Sequence, residues 1–420
     1  MSGARRTSGV CSTAGGEHTL LKDARGQVFS AGACGLGWCR NMPMAASLFG
    51  WRKALLPEPA KKVIGGYYHN LAIGLLTGSV YSWGCGTFVE GRAEGSKPAL
   101  GQGIDVKDLG EQPRLVKSIS GSDLPVHDAA AGAYHSAVLT RTGKVLTFGA
   151  GQLGQLGRKT RGQTDSSGLP VDCEPAPVEG LPPGVPVRSI GAGFYNTLVT
   201  LQDGTVFCSG ENQNSQCGAR SNGRSNLFKM AQVVAKGLEN EHIISAVGGY
   251  CHTLLLTRQG RVFTLGCSDD GQRGFDSSKV ASTLTNELKL NGGCNDRIPL
   301  KAEKIAAGAN HSVVLAENGD VYAFGSNEYG QCGTDQNVRI NEDGEKERGP
   351  ILSPVKIAVP SHASRIVSVS AGYAHTILTD DKDKVFVFGQ NANGQLGIGK
   401  SSYSDEPLDV VVPTPIEFSE

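Results

Sequence analysis

The chain has 420 residues with 40 basic and 40 acidic side chains, so it carries no net charge and offers no overall field for steering nucleic acid or an anionic membrane. No apolar run approaches bilayer length, and the N-terminus lacks the apolar core of a signal peptide, which together point to an intracellular address, cytoplasmic or nuclear, with no secretion. The 58 glycines, about twice ordinary usage and without collagen-like period, suit a fold rich in tight turns.

The first unit starts near Val10, leaving little room for a cleavable presequence. It runs through Gly15-Gly16-Glu17-His18, a short apolar stretch, a turn residue at Gly26 and a second glycine at Gly32. The same pattern returns at anchors His69, His135, Asn196, His252, His311 and His375, a repeat of roughly 50 to 65 residues, within the range of propellers and solenoids. The turn residues are Gly78, Gly143, Gly204, Gly260, Gly319 and Asp383, and the second glycines are Gly84, Gly149, Gly210, Gly266, Gly325 and Gly389. In the sixth copy Asn318-Gly319 separates two apolar runs, the strongest short-range signal of a β-hairpin, because both central residues of that turn take positive φ. Copies three to seven end in Gln-x-Gly (Gln155, Gln216, Gln272, Gln331 and Gln395), an ending that the first two copies lack.

Each copy reads as four short strands; for the last copy these are 354–359, 366–370, 375–378 and 385–388. Seven four-stranded units that cannot bury their faces alone predict one all-β domain over 1–420, a seven-bladed β-propeller. Nothing before residues 8–14 supplies an outer strand, whereas 406–413 or 414–418 does. The reading therefore has the C-terminal strand pair with the N-terminal blade and close the ring.

Three insertions interrupt the pattern. Segment 38–59 holds Trp38, Phe49 and Trp51 and is so apolar that it must be covered, with a partner favoured over the propeller's own face. Segment 87–113 reads as a solvated loop, and 334–350, with its alternating charges, as a mobile charged loop. The group Arg158–Arg161 with Arg220, Arg224 and Lys229 reads as a solvated basic face. The 11 cysteines include no CxxC pair, and several track repeat positions: Cys217 and Cys332 stand where other copies have Leu156 or Leu396, and Cys267 follows a second glycine. They read as small buried hydrophobes in a reducing compartment.

The clearest copies, AGAYHSAVLTRTGKVLTFGAGQLGQLG (131–157) and AGYAHTILTDDKDKVFVFGQNANGQLG (371–397), resemble the repeats of the regulator of chromosome condensation family, and the resemblance covers about residues 8–418. It implies a seven-bladed propeller. Its best-known members exchange nucleotide on the small GTPase Ran, and others are photoreceptors or interaction modules. The resemblance also places the two variable residues before each anchor near the mouth of the ring. Exchange factors carry some acidic or imidazole side chains there, and photoreceptor members carry tryptophans. Here the slots hold Gly16-Glu17, Tyr67-Tyr68, Ala133-Tyr134, Phe194-Tyr195, Tyr250-Cys251, Ala309-Asn310 and Tyr373-Ala374. Such an aromatic mouth suits either a binding surface or packing of the central channel, since tyrosine joins large apolar area to a polar tip.

Other motifs have structural explanations. Gly149-Ala-Gly151-Gln-Leu-Gly154 spells a dinucleotide loop, but no amphipathic helix follows it and it occupies a repeat turn. The anchor histidines are spread over separate repeats and Asn196 replaces one of them, which suits a structural polar tie within each blade better than a metal site. Asn310-His311-Ser312 spells a glycosylation sequon inside the repeat core. No catalytic set, metal site or cofactor site stands outside the repeats. The expected function is a protein-binding propeller, scaffold or adaptor, with Tyr67, Tyr68, Tyr134, Phe194, Tyr195, Tyr250, Asn310, Tyr373, Trp38, Phe49 and Trp51 as partner-binding residues. The partner is a protein, a small GTPase or part of a larger assembly. The alternative is guanine-nucleotide exchange on a Ran-like GTPase, against which stand the mouth residues and an N-terminus with only Arg5-Arg6 before the first blade.

Overall fold

The structure, a computed structural model, describes residues 10–33, 50–84, 98–102, 112–164, 168–219, 226–235, 237–275, 286–291, 297–340, 346–398 and 409–416. Seven antiparallel sheets surround a central channel, each a meander that starts at the hub and ends at the rim. Blade 6 shows the plan: Ala302–Ala307 lines the channel, His311–Ala316 and Val321–Gly325 follow, and Ile351–Lys356 is outermost. His311 lies opposite Gly325, whose φ of +108° and close approach to the Asn310 carbonyl exclude a side chain. The turn position has positive φ in all seven copies, and in blade 7 it is held by Asp383 at +65°.

Ring closure differs from the sequence expectation. The outer strand follows its repeat: Ile351–Lys356 completes blade 6, Arg52–Ala54 completes blade 1, and the C-terminal strand Val410–Pro415 pairs with Val385–Gly389 to complete blade 7. The C-terminal strand lies antiparallel on the free edge of Val385–Gly389, with Phe386 opposite Pro415, so it pairs within blade 7 and not with blade 1.

Closure is achieved between blades instead. At the hub a circle of backbone hydrogen bonds runs from each blade to the next, from Gly16 N to the Gly66 carbonyl, through Tyr67, Ala133, Phe194, Tyr250 and Ala309, and back by Tyr373 N to the Gly15 carbonyl at 3.2 Å. At the seam between blades 7 and 1, Asp383 Oδ1 accepts from Val10 N at 3.1 Å and Ser370 Oγ from Ala14 N at 2.9 Å, while Ala14 and Leu21 pack with Ile377, Val387 and Leu396.

The anchor histidines also act across this boundary, so they tie blade to blade and not strand to strand within a blade. His311 Nε2 meets Thr376 Oγ1 at 2.9 Å, and that hydroxyl donates to the Gln331 carbonyl at 2.8 Å. The hydroxyl hydrogen is thereby spent, so the imidazole donates through Nε2, and burial keeps the ring neutral. The same relay joins His135 to Thr197 and Gln155, His252 to Ser312 and Gln272, and His375 to Thr19 and Gln395. His69 bonds Ser136, whose hydroxyl donates to the Ala99 carbonyl, so Ala99-Leu100-Gly101 is blade 2's version of the Gln-x-Gly exit, displaced by the insertion. Asn196 departs from the pattern by accepting from Gly193 N in its own blade. Burial alone, or burial first and neighbouring charge second, holds the six imidazoles at about 3 to 4, far below their ordinary value.

Several local expectations change as well. Part of the presumed solvated loop, Pro98–Leu100, is a tight turn with Ala99 and Leu100 fully buried, because the Ser82 and Ser136 hydroxyls bind its carbonyls. The charged segment forms a hairpin, Val338 to Ile340 against Lys346 to Arg348, with Val338 opposite Arg348. Arg158 is buried against Asp172 at 2.6 Å and is no part of a solvated face; Lys229 pairs with Glu179, and Arg220 and Arg224 lie outside the described residues. Among the described residues four cysteines are paired as disulfides, Cys208 with Cys217 and Cys251 with Cys267, where the sequence suggested free thiols. The hairpin sets the Cα atoms of Cys251 and Cys267 5.6 Å apart, and the exit turn brings Cys217 back to 5.4 Å from Cys208, both within disulfide reach. Cys332 and Cys173 remain buried thiols, as expected.

Candidate functional site

The channel, a cavity of about 370 Å³, is lined by the innermost strands together with Tyr67, Phe194 and Tyr373. These three begin a continuous cluster at the mouth. Tyr67 meets Tyr68, Phe194 and Tyr373 at ring-centroid distances of 4.2, 4.7 and 5.4 Å, Tyr68 stacks on Tyr134 at 4.8 Å, and Phe194 meets Tyr250 at 5.1 Å. Tyr195 joins through Phe194 and Tyr250. The backbone circle places four of these rings, because Tyr67, Phe194, Tyr250 and Tyr373 are among the residues that donate to the next blade.

The cluster has a base and a surface. Tyr134 is 9% exposed and rests on Ala133 and Ala150, whereas Tyr250 and Tyr373 are 46% and 37% exposed. The Tyr68 hydroxyl shares hydrogen bonds with Tyr67 and Tyr134, and burial raises both of these phenols far above their usual range. Tyr195 is pushed up to about 12, by burial first and then by the charge of its neighbours, including Glu211. All these phenols therefore stay protonated at neutral pH, and the mouth offers ring faces and neutral hydroxyls.

Of the residues singled out from sequence, the seven aromatic slots come together. Asn310 is half-buried in the corresponding place of blade 6, makes no ring contact, and uses its carbonyl to accept from Ser326 N at 2.8 Å. Trp51 is elsewhere. It packs at the blade 7 to blade 1 seam, on the cluster containing Leu396 and Val385 and directly over Gly397, so it belongs to the propeller's own packing. Trp38 and Phe49 lie outside the described residues.

Sequence reading missed the residues that flank the rings. Glu211 influences Tyr195, and Tyr329 is coupled to Tyr373, Glu328 and Asp409. Asp270 in turn feels Asp269 and Glu328. Glu211 sits just after a second glycine, Asp269, Asp270, Glu328 and Tyr329 sit just before the exit glycines Gly271 and Gly330, and Asp409 sits just before the last strand, variable positions inside a fixed frame, and that variability was the available signal. Among the described residues no three metal-ligating side chains converge, and Gly149–Gly154 is a repeat turn in which Gly154 lies against the Leu227 carbonyl.

A model of the RCC1-like domain matches residues 87–419. The chain belongs to the RCC1-like domain family. Its relatives include the ultraviolet-B receptor UVR8 of Arabidopsis thaliana, 28% identical over 373 residues that make up 88% of this chain and 73% of the receptor. Regulator of chromosome condensation of Xenopus laevis is 27% identical over 339 residues, 77% of this chain and 70% of that protein. Yeast RCC1 (Prp20), solved bound to Kap60, superposes with a TM-score of 0.70 at 21% identity over 93% of this chain and 83% of its own, which attests the fold. In this RCC1-like propeller the hub carries seven aromatic side chains.

Proposed function

We propose that this RCC1-like chain is a protein-interaction propeller, scaffold or adaptor, that binds its partner at the aromatic hub and performs no covalent chemistry. The observation that carries the reading is the contiguous ring cluster whose outer members, Tyr250 and Tyr373, stand 46% and 37% exposed above a buried base. Large rigid side chains on a preformed base lose little entropy on binding, the usual property of interface anchors. Tyr250→Ala with Tyr373→Ala should reduce recovery of co-purifying proteins from native cells while the melting temperature holds. Unchanged recovery would remove the hub from the interface. Trp38 and Phe49 are proposed as a second contact, tested by the same capture with both changed to alanine.

Guanine-nucleotide exchange on a Ran-like GTPase is the second reading, favoured by membership in a family that includes the regulator of chromosome condensation. Release of labelled nucleotide from purified Ran measures it directly. Strong acceleration by the intact propeller would make exchange the primary function.

A further inference from the structure

The rings at the mouth are accompanied by carboxylates that form no ion pair among the described residues. Glu211 stands beside Tyr195, and Glu328 and Asp409 stand around Tyr329, which in turn neighbours Tyr373. Asp270 and Asp269 extend this belt past Glu328. Among the described residues no lysine or arginine forms an ion pair with Glu211, Asp270, Glu328 or Asp409; Arg348, whose charge acts on Asp409, is held by Asp335 at 3.0 Å.

The local electrostatics reflect the same imbalance. Burial, then the like charges of Asp269 and Glu328, raise the carboxyl of Asp270, and burial raises Glu211 and Asp409. A protein surface that gathers negative charge beside exposed aromatic faces is complementary to a cation, since both carboxylates and ring quadrupoles attract positive charge. It repels an anionic partner for the same reason.

We propose that the hub receives a cationic segment of its protein partner, with a lysine or arginine side chain lying over Tyr250 and Tyr373 and flanked by Glu211, Asp270 and Glu328. The proposal rests on the reading that the hub binds a protein, and adds the chemistry of what it binds.

The test uses the full chain and two labelled probe peptides, Gly-Arg-Gly-Lys-Gly-Arg-Gly and its counterpart with glutamate at the three charged positions, followed by fluorescence anisotropy. The cationic peptide should bind and weaken when salt is raised from about 50 to about 500 mM. Asp270→Asn with Glu328→Gln should weaken it roughly fivefold, the scale of two partly exposed charge pairs. Tyr250→Ala with Tyr373→Ala should weaken it roughly tenfold, and Tyr250→Phe with Tyr373→Phe should restore it, because the ring face and not the hydroxyl attracts the cation. Preference for the acidic peptide, or equal binding of the cationic one by all variants, would overturn the proposal. If neither peptide binds while the alanine pair still loses cellular partners, the cationic chemistry falls and the hub reading stands. If that capture is also unchanged, both fall.

Discussion

Lowering the pH from about 7.5 to about 5.5 challenges six buried imidazoles at once. Each is neutral in the folded ring, held at about 3 to 4 mainly by burial, whereas an unfolded histidine titrates near ~6.5. A folded value below the unfolded one means that the unfolded chain binds protons first, so this stability is fully present above about pH 6.5 and is lost as the pH falls toward the folded value. At pH ~5.5 each site forfeits about 1.4 kcal/mol, and six together about 8 kcal/mol. A chain of 420 residues has an unfolding entropy on the order of 0.9 kcal/mol/K near its midpoint, so the melting temperature should fall by about 9 °C. Scanning calorimetry at the two pH values measures the shift. His311→Asn, which copies the arrangement at Asn196, should remove about one sixth of the pH sensitivity. A melting temperature that stays within about 1 °C across the window would refute the neutral relay.

Three further outcomes follow from the geometry. Trp51→Ala should lower the melting temperature by roughly 2 °C, because a half-buried indole at the blade 7 to blade 1 seam carries about half the 3–5 kcal/mol of a core tryptophan; unchanged melting would return Trp51 to the partner surface. Gly325→Ala should destabilise by about 2 to 4 kcal/mol in urea unfolding, since its φ is +108° and an added Cβ would meet the Asn310 carbonyl. Deleting 409–416 should speed amide exchange in Val385–Gly389 and leave Cys11–Ala14 protected; exchange rising in the first strand as well would restore a terminal latch.

The repeat frame was legible because each of its fixed positions answers a local constraint. The second glycines must take positive φ against a crossing backbone, and the Gln exits lend their carbonyls to the next blade, so both columns stand out in one sequence. The strand phase was misread because residues 354–359 lie between two hairpins and periodicity cannot say which one they join; that depends on which free edge the exit loop reaches. The disulfides were hidden for a similar reason. Cys251 and Cys267 are 16 apart in sequence and become neighbours only through a specific hairpin register. The aromatic slots were visible as a set, but their division into a buried base and an exposed surface required the ring to close. Asp270 and Glu328 come from different blades, and no sequence window contains both.

Photo-crosslinking tests the hub assignment most directly. A benzophenone amino acid placed at Tyr250, 46% exposed at the mouth, can be compared in living cells with the same residue at Val412, 59% exposed on the outer strand of blade 7. The expected result is a discrete crosslinked protein from Tyr250 and none from Val412. Crosslinks arising only at the rim position, with a silent hub, would contradict it.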